Sequence, residues 1–166
     1  LTGDGDYPQL TVEDAGTQVA FLTDRDASDD AEAAHTLYHW QPGQDAAQPI
    51  AQSDDDAWPS GWLISEHGDL DFSEEGTRLF FGTAPPPLPE AEADSLLPEE
   101  QVTVDIWNWK DPYLQPMQKE RADDRREQTY RAVYFVDSGR MLQLGTEEVP
   151  NVTVGAGGEA DVAMGI

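Results

Sequence analysis

Apolar positions along this chain recur two apart in short runs, divided by acidic or glycine-bearing turns, and that period predicts strands rather than helices. Leu10-Thr11-Val12 sets Leu10 and Val12 on one face of a short strand. Glu13-Asp14-Ala15-Gly16 follows as a turn in which Gly16 supplies the positive φ of a tight hairpin. The chain then returns through Val19-Ala20-Phe21-Leu22-Thr23, with Val19 and Phe21 expected inward and one face of the hairpin buried.

The same pattern recurs sixty residues on, without a gap. Leu10, Val12, Gly16, Thr17, Val19, Phe21 and Thr23 align with Leu70, Phe72, Gly76, Thr77, Leu79, Phe81 and Thr83. A second hairpin follows each first one. Thr36 to Trp40 turns at Pro42-Gly43 into Gln48-Pro49-Ile50, and Tyr130 to Val136 turns at Asp137-Ser138-Gly139 into Arg140 to Leu144. A third start is visible at Asn151-Val152-Thr153-Val154, with its own Gly157-Gly158 turn. Four strands per unit predict an all-β chain of antiparallel sheets, an incomplete β-propeller segment of about two to three four-stranded blades. The units are 7–60, then 67–146 with insertions at 84–101 and 111–128, then the start of a next blade at 150–166. Closed propellers take at least about four blades, so a piece of a larger toroid is expected. Leu1 in place of an initiator Met, and an end inside the apolar Met164-Gly165-Ile166, agree with that expectation.

The insertions break the regularity. Pro85-Pro86-Pro87-Leu88-Pro89 and the acidic residues after it read as an extended loop. Residues 115–128 hold good helix formers with little apolar periodicity, so a short exposed helix is expected there. Between them Val102 to Trp109 alternates as a strand, with Trp107 and Trp109 on one face for packing or surface contact.

Composition narrows the function classes. The 166 residues carry 34 acidic and 9 basic side chains, a formal net charge of −25, and no cysteine. Disulfides, thiolate metal sites and a cysteine nucleophile are excluded. Phosphate would repel such a chain, so nucleic acid and anionic membrane surfaces are not expected partners. No run approaches the ~20 apolar residues of a membrane span. Lys110 and Lys119 are the only lysines, and many carboxylates with few lysines resemble a halophilic protein. At molar salt the Debye length falls to ~3 Å and self-repulsion is screened. The melting temperature should therefore rise from dilute buffer to molar salt in a thermal scan, and a flat response would overturn the halophilic reading.

The doubled hairpin with its acidic-glycine turn resembles the TolB-like repeat of the Tol-Pal system's periplasmic propeller and the propeller repeat of the prolyl oligopeptidase family. Val104-Asp105-Ile106-Trp107-Asn108-Trp109-Lys110-Asp111-Pro112, then Leu114 to Lys119, Tyr130 to Tyr134 and Gly139 to Leu144, is similar to a stretch of the propeller of bacterial prolyl oligopeptidase-like serine peptidases. The resemblance spans residues 7–166. It implies a non-catalytic role, in which the propeller gates peptide substrate and packs on a hydrolase domain of the same parent chain. The family's catalytic residues lie in that separate domain, and no Gly-x-Ser-x-Gly elbow occurs here. It also implies a periplasmic or secreted location. The alternative is a protein-interaction propeller without a hydrolase partner.

Candidate chemistry is sparse. His35 and His39, four apart with Glu32 nearby, form a weak candidate metal pair, with packing as the plainer reading. Asp24, Asp26, Asp29 and Asp30, and separately Asp54 to Asp56, crowd loops that could hold calcium, although neither follows the Asp-x-Asp-x-Asp-Gly pattern. Ser65, Glu66, His67 and Asp69 are too close in sequence to form a nucleophile triad, because neighbours on a strand point to opposite faces. No catalytic residue and no cofactor is assigned. Outer blade faces and strand edges without neighbours favour self-association.

Overall fold

The computed structural model of the chain describes residues 4–27, 35–52, 57–86 and 127–166. Among these residues every strand pairs antiparallel, one sheet curls into a half-barrel, and the only helical feature is a single 3-10 turn at Ala156–Gly158. The chain is all-β, as its alternation predicts. Of the insertions expected at 84–101 and 111–128, residues 87–101 and 111–126 lie outside the described residues, as do the alternating run with Trp107 and Trp109 and the acidic clusters at 28–34 and 53–56, while Ala84 ends a strand.

The first sheet runs in chain order through β1 (Leu10–Val12), β2 (Val19–Thr23), β3 (Thr36–Trp40) and β4 (Gln48–Ala51). In the second sheet β5 (Leu63–Ile64) and β6 (Asp71–Phe72) share one edge of β7 (Arg78–Ala84). Beyond β7 come β8 (Tyr130–Phe135) and β9 (Arg140–Gln143). A separate hairpin pairs β10 (Val152–Val154) with β11 (Ala163–Gly165).

The sixty-residue offset is written into the strand register. Thr11 faces Ala20 and Val12 faces Val19 across β1–β2, while Asp71 faces Phe80 and Phe72 faces Leu79 across β6–β7. The turns match as well. The Gly16 amide donates to the Glu13 carbonyl at 2.7 Å, and the Gly76 amide to the Ser73 carbonyl at 2.8 Å. Both glycines sit in the left-handed region, at φ +71° and +68°, where a side chain is disfavoured. A turn with the same i to i+3 hydrogen bond closes β10–β11: the Gly158 amide donates to the Gly155 carbonyl at 3.1 Å, with φ +91°. Local sequence thus encodes one turn twice, while the third turn is of another type, with Ala156 and Gly157 also in the left-handed region at φ +53° and +61°.

Packing separates copies that the sequence makes alike. The core joins Ala20, Leu22, Leu37 and Ala51 of the first sheet to Leu70, Leu79, Phe81 and Ala132 of the second, with Trp58, Trp62 and Ile64 from the connecting segment. The first sheet therefore presents its even-numbered β2 face, and the second its odd-numbered β7 face. Phe21 is buried as the alternation predicts, at 6% exposed, but against other neighbours. Val19 and Phe21 do not face this core; Phe21 lies on the opposite side of β2, stacked on Tyr38 at 5.3 Å between ring centroids and beside Tyr7. Sheets stacked side by side bury both faces of an inner strand and bring unlike faces together. Alternation reports a strand, and it cannot report which face meets which neighbour.

One backbone contact fixes how the second sheet closes. A Cβ on Gly68 would fall 2.4 Å from the Gly82 Cα, so the chain entering β6 crosses β7 with no room for a side chain on either residue.

Candidate functional site

The described residues concentrate their polar chemistry along the seams where one hairpin turn meets the next. At the first seam Gln18, at the end of the first turn, donates from Nε2 to the Gly76 carbonyl at 3.0 Å. Its Oε1 lies 2.9 Å from His39 Nε2. Glu13 is buried against the same glycine, and its carboxylate accepts from the amides of Ala15 and Thr17 and from the Thr17 hydroxyl. The Ala15 amide is the main influence that holds the Glu13 carboxyl below the ordinary value of 4.5. Gln9 adds a strap, donating from Nε2 to the Gly68 carbonyl at 2.8 Å.

The second seam repeats the first with different residues. Arg78 stands sixty positions after Gln18 and donates from Nη1 to the Gly158 carbonyl at 2.9 Å and the Ala160 carbonyl at 2.6 Å. Nη2 reaches Asp161 Oδ1 at 3.3 Å, Nε lies 3.8 Å from Glu159 Oε2, and the guanidinium covers the Phe135 ring at 5.4 Å. Ser73 stands where the first unit has Glu13, and the carboxylate of this turn comes instead from Glu159. It accepts from the Glu75 amide at 3.2 Å and the Thr77 hydroxyl at 2.6 Å, the counterparts of Ala15 and Thr17. Burial pushes the Glu159 carboxyl upward, but hydrogen bonds from Ser73, Thr77 and Glu75 and the Arg78 charge outweigh it and leave it below 4.5.

His39 is nearly inaccessible, on the β3 face that meets Phe72 and Tyr134 at ring distances of 6.0 and 6.4 Å. Burial lowers its pKa from the ordinary 6.5. As pH falls below 6.5 the unfolded chain binds a proton that the folded chain resists, so stability declines with acidification. Glu13 and Glu159 have folded pKa values below 4.5, so their contribution is present above 4.5 and is lost only as pH falls beneath it. Between pH 6.5 and 4.5 the wild-type chain should therefore lose stability in urea titrations. His39→Gln should flatten the profile over that range. An identical decline in both proteins would assign the effect elsewhere.

The metal candidates are not brought together. His35 precedes β3 and His39 lies within it, and four residues of strand separate them by about 13 Å, too far to share one ion. Asp24 Oδ1 accepts the Asp6 amide at 2.7 Å. Asp26 accepts the Tyr38 hydroxyl at 2.5 Å and pairs with Arg25 at 3.5 Å. Among the described residues no group of three His, Cys, Asp or Glu side chains is placed to hold a metal ion. Gly16, Phe21, Gly76 and Phe81 occupy the turn and strand positions already described.

A cleft of about 220 Å³ opens between the second sheet and the β10 strand, lined by Asp69, Thr129, Arg131, Asn151 and Thr153 over the Gly82 backbone. Arg131 lies over the Phe80 ring at 4.5 Å. The cleft offers charge and hydrogen bonds to a polar group. Sequence reasoning missed the residues that organise the seams, Glu13, Gln18, Arg78 and Glu159. The only signal for the first three was their place in the repeat, and nothing local marked Glu159. No helix among the described residues is long and apolar enough to cross a membrane. The chain matches no family model and no curated protein.

Proposed function

We propose that this chain is a β-propeller segment, two blades and the first hairpin of a next, that serves as a non-catalytic part of a prolyl oligopeptidase-like hydrolase. In that role it gates peptide substrate and packs on a hydrolase domain of the same parent polypeptide. The observation that carries the propeller reading is the seam made twice: Gln18 to the Gly76 carbonyl, then Arg78 to the Gly158 carbonyl. Two successive sheets or hairpins related by one repeated contact are what a ring of blades requires. The hydrolase half of the proposal rests on the similarity of residues 104–119 and 130–144 to the peptidase propellers.

Two measurements test it. The purified chain should leave a chromogenic dipeptide intact, and measurable turnover would overturn the non-catalytic assignment. The encoding gene should continue into a Gly-x-Ser-x-Gly segment within the same reading frame. A stop codon after a closed set of blades would instead favour the interaction propeller, similar to the Tol-Pal component.

A further inference from the structure

The second sheet departs from the repeat at one spot. The first repeat pairs Leu22 with Leu37 across β2–β3, both fully buried, whereas the second pairs Gly82 with Arg131 across β7–β8. The Gly68 backbone crosses Gly82 and leaves no room for a side chain there. An apolar pair is thereby replaced by bare backbone and a cation, and the cleft of about 220 Å³ opens beside them.

Arg131 is held in place but not satisfied. Its guanidinium lies over the Phe80 ring at 4.5 Å, on the diagonal of the same sheet face. Stacking fixes the plane of the guanidinium and leaves its N–H edge free for a planar, oxygen-bearing group. The chain carries 34 acidic side chains, and Arg25 and Arg78 both pair with carboxylates, yet among the described residues none pairs with Arg131. The other polar side chains of the lining are Asp69, Thr129, Asn151 and Thr153, and among the described residues none of these makes a side-chain hydrogen bond either. Two opposite charges thus share one cleft without pairing with each other.

Size and charge select the occupant. The cleft is smaller than the ~300 Å³ at which sites for drug-sized ligands begin, so its ligand is small. A simple anion would approach against the field of a chain with net charge −25, while a zwitterion carries no net charge and meets both lining charges. We infer that the cleft binds a free α-amino acid, with the carboxylate on Arg131 and the ammonium toward Asp69. Thr129, Asn151 and Thr153 supply the remaining hydrogen bonds. The walls belong to the second sheet and β10, so the site does not depend on the hydrolase reading.

The test is titration of the isotope-labelled chain with L-alanine, acetate and inorganic phosphate at constant ionic strength, read by nuclear magnetic resonance. L-Alanine should shift the amides of Thr129, Arg131, Asn151 and Thr153 and saturate with a Kd of about 1–10 mM. Acetate lacks the ammonium and should bind about three- to tenfold more weakly, and phosphate should give no saturable shift. Asp69→Asn should bring alanine down to the affinity of acetate, and Arg131→Gln should weaken alanine about tenfold or more. Asp69 is exposed, so its variant keeps the fold even where loss of the Arg131 stack lowers stability. The absence of a saturable alanine shift would overturn the inference, as would acetate or phosphate binding as tightly as alanine. Wild-type affinity in either variant, or shifts confined to residues away from the cleft, would overturn it equally.

Discussion

Phe81→Ala should cost about 3–5 kcal/mol, enough to leave a domain of this size largely unfolded at room temperature. Phe81 is fully buried at the centre of the packing between the two sheets, with the Trp58 ring edge-on at 6.0 Å. Truncation removes the ring's transfer free energy and leaves a cavity. The walls cannot relax into it, because β7 is held on one edge by β6 and on the other by β8. Its repeat counterpart is the informative control. Phe21 occupies the same register position and is also buried, but it packs on Tyr38 and Tyr7 on the other face of β2, beside the exposed Leu10 and Val12 rather than between the two sheets. Phe21→Ala should cost roughly half as much. Urea midpoints at unchanged m-value measure both, and equal losses would show that repeat position, not placement between sheets, sets the energy of this residue.

That contrast also explains how much of the structure was legible in the sequence. Strand identity was legible, because the alternation in Leu10 to Thr23 and Leu70 to Thr83 is a local consequence of the pleat. The turns were legible too, since Gly16, Gly76 and Gly158 are each required by a left-handed backbone step. The assignment of faces was not. Ala20 and Leu22 turn toward the second sheet while Leu79 and Phe81 turn toward the first, so aligned residues such as Phe21 and Phe81 reach different environments. A period of two is the same whichever face is inward, and the choice is made by the neighbour. The seam chemistry was hidden for a related reason. Glu159 fills the cradle that Glu13 fills in the first unit, from a point more than eighty residues along the chain, and no local spacing announces such a substitution. His35 and His39 are not brought together because a four-residue spacing that joins side chains on a helix separates them on a strand.

The other large effect is expected at Arg78. A two-stranded hairpin is marginal by itself in water, and β10–β11 is held to the second sheet by the clasp that Arg78 and Glu159 make. Arg78→Ala removes two hydrogen bonds to the carbonyls of Gly158 and Ala160, the cover over Phe135, and the positive charge beside the Glu159 carboxylate. Charged hydrogen bonds in a part-buried setting contribute about 1.5–3 kcal/mol, so a loss near the upper end is expected once the carboxylate is left without its cation. The repeat itself supplies the rescue variant. Gln18 does the same job at the first seam with an uncharged amide, donating to the Gly76 carbonyl. Arg78→Gln should therefore retain one donor to the Gly158 carbonyl and recover about half of the loss. Amide hydrogen exchange separates a local from a global consequence. In Arg78→Ala the β10–β11 amides should lose protection while those of β2, β3, β7 and β8 keep most of theirs. Uniform loss across all strands would show that the third hairpin is integral to the core and not an appended unit held by its clasp. A glutamine variant no better than alanine would show that charge, and not the turn-to-turn hydrogen bond, holds the repeats in line.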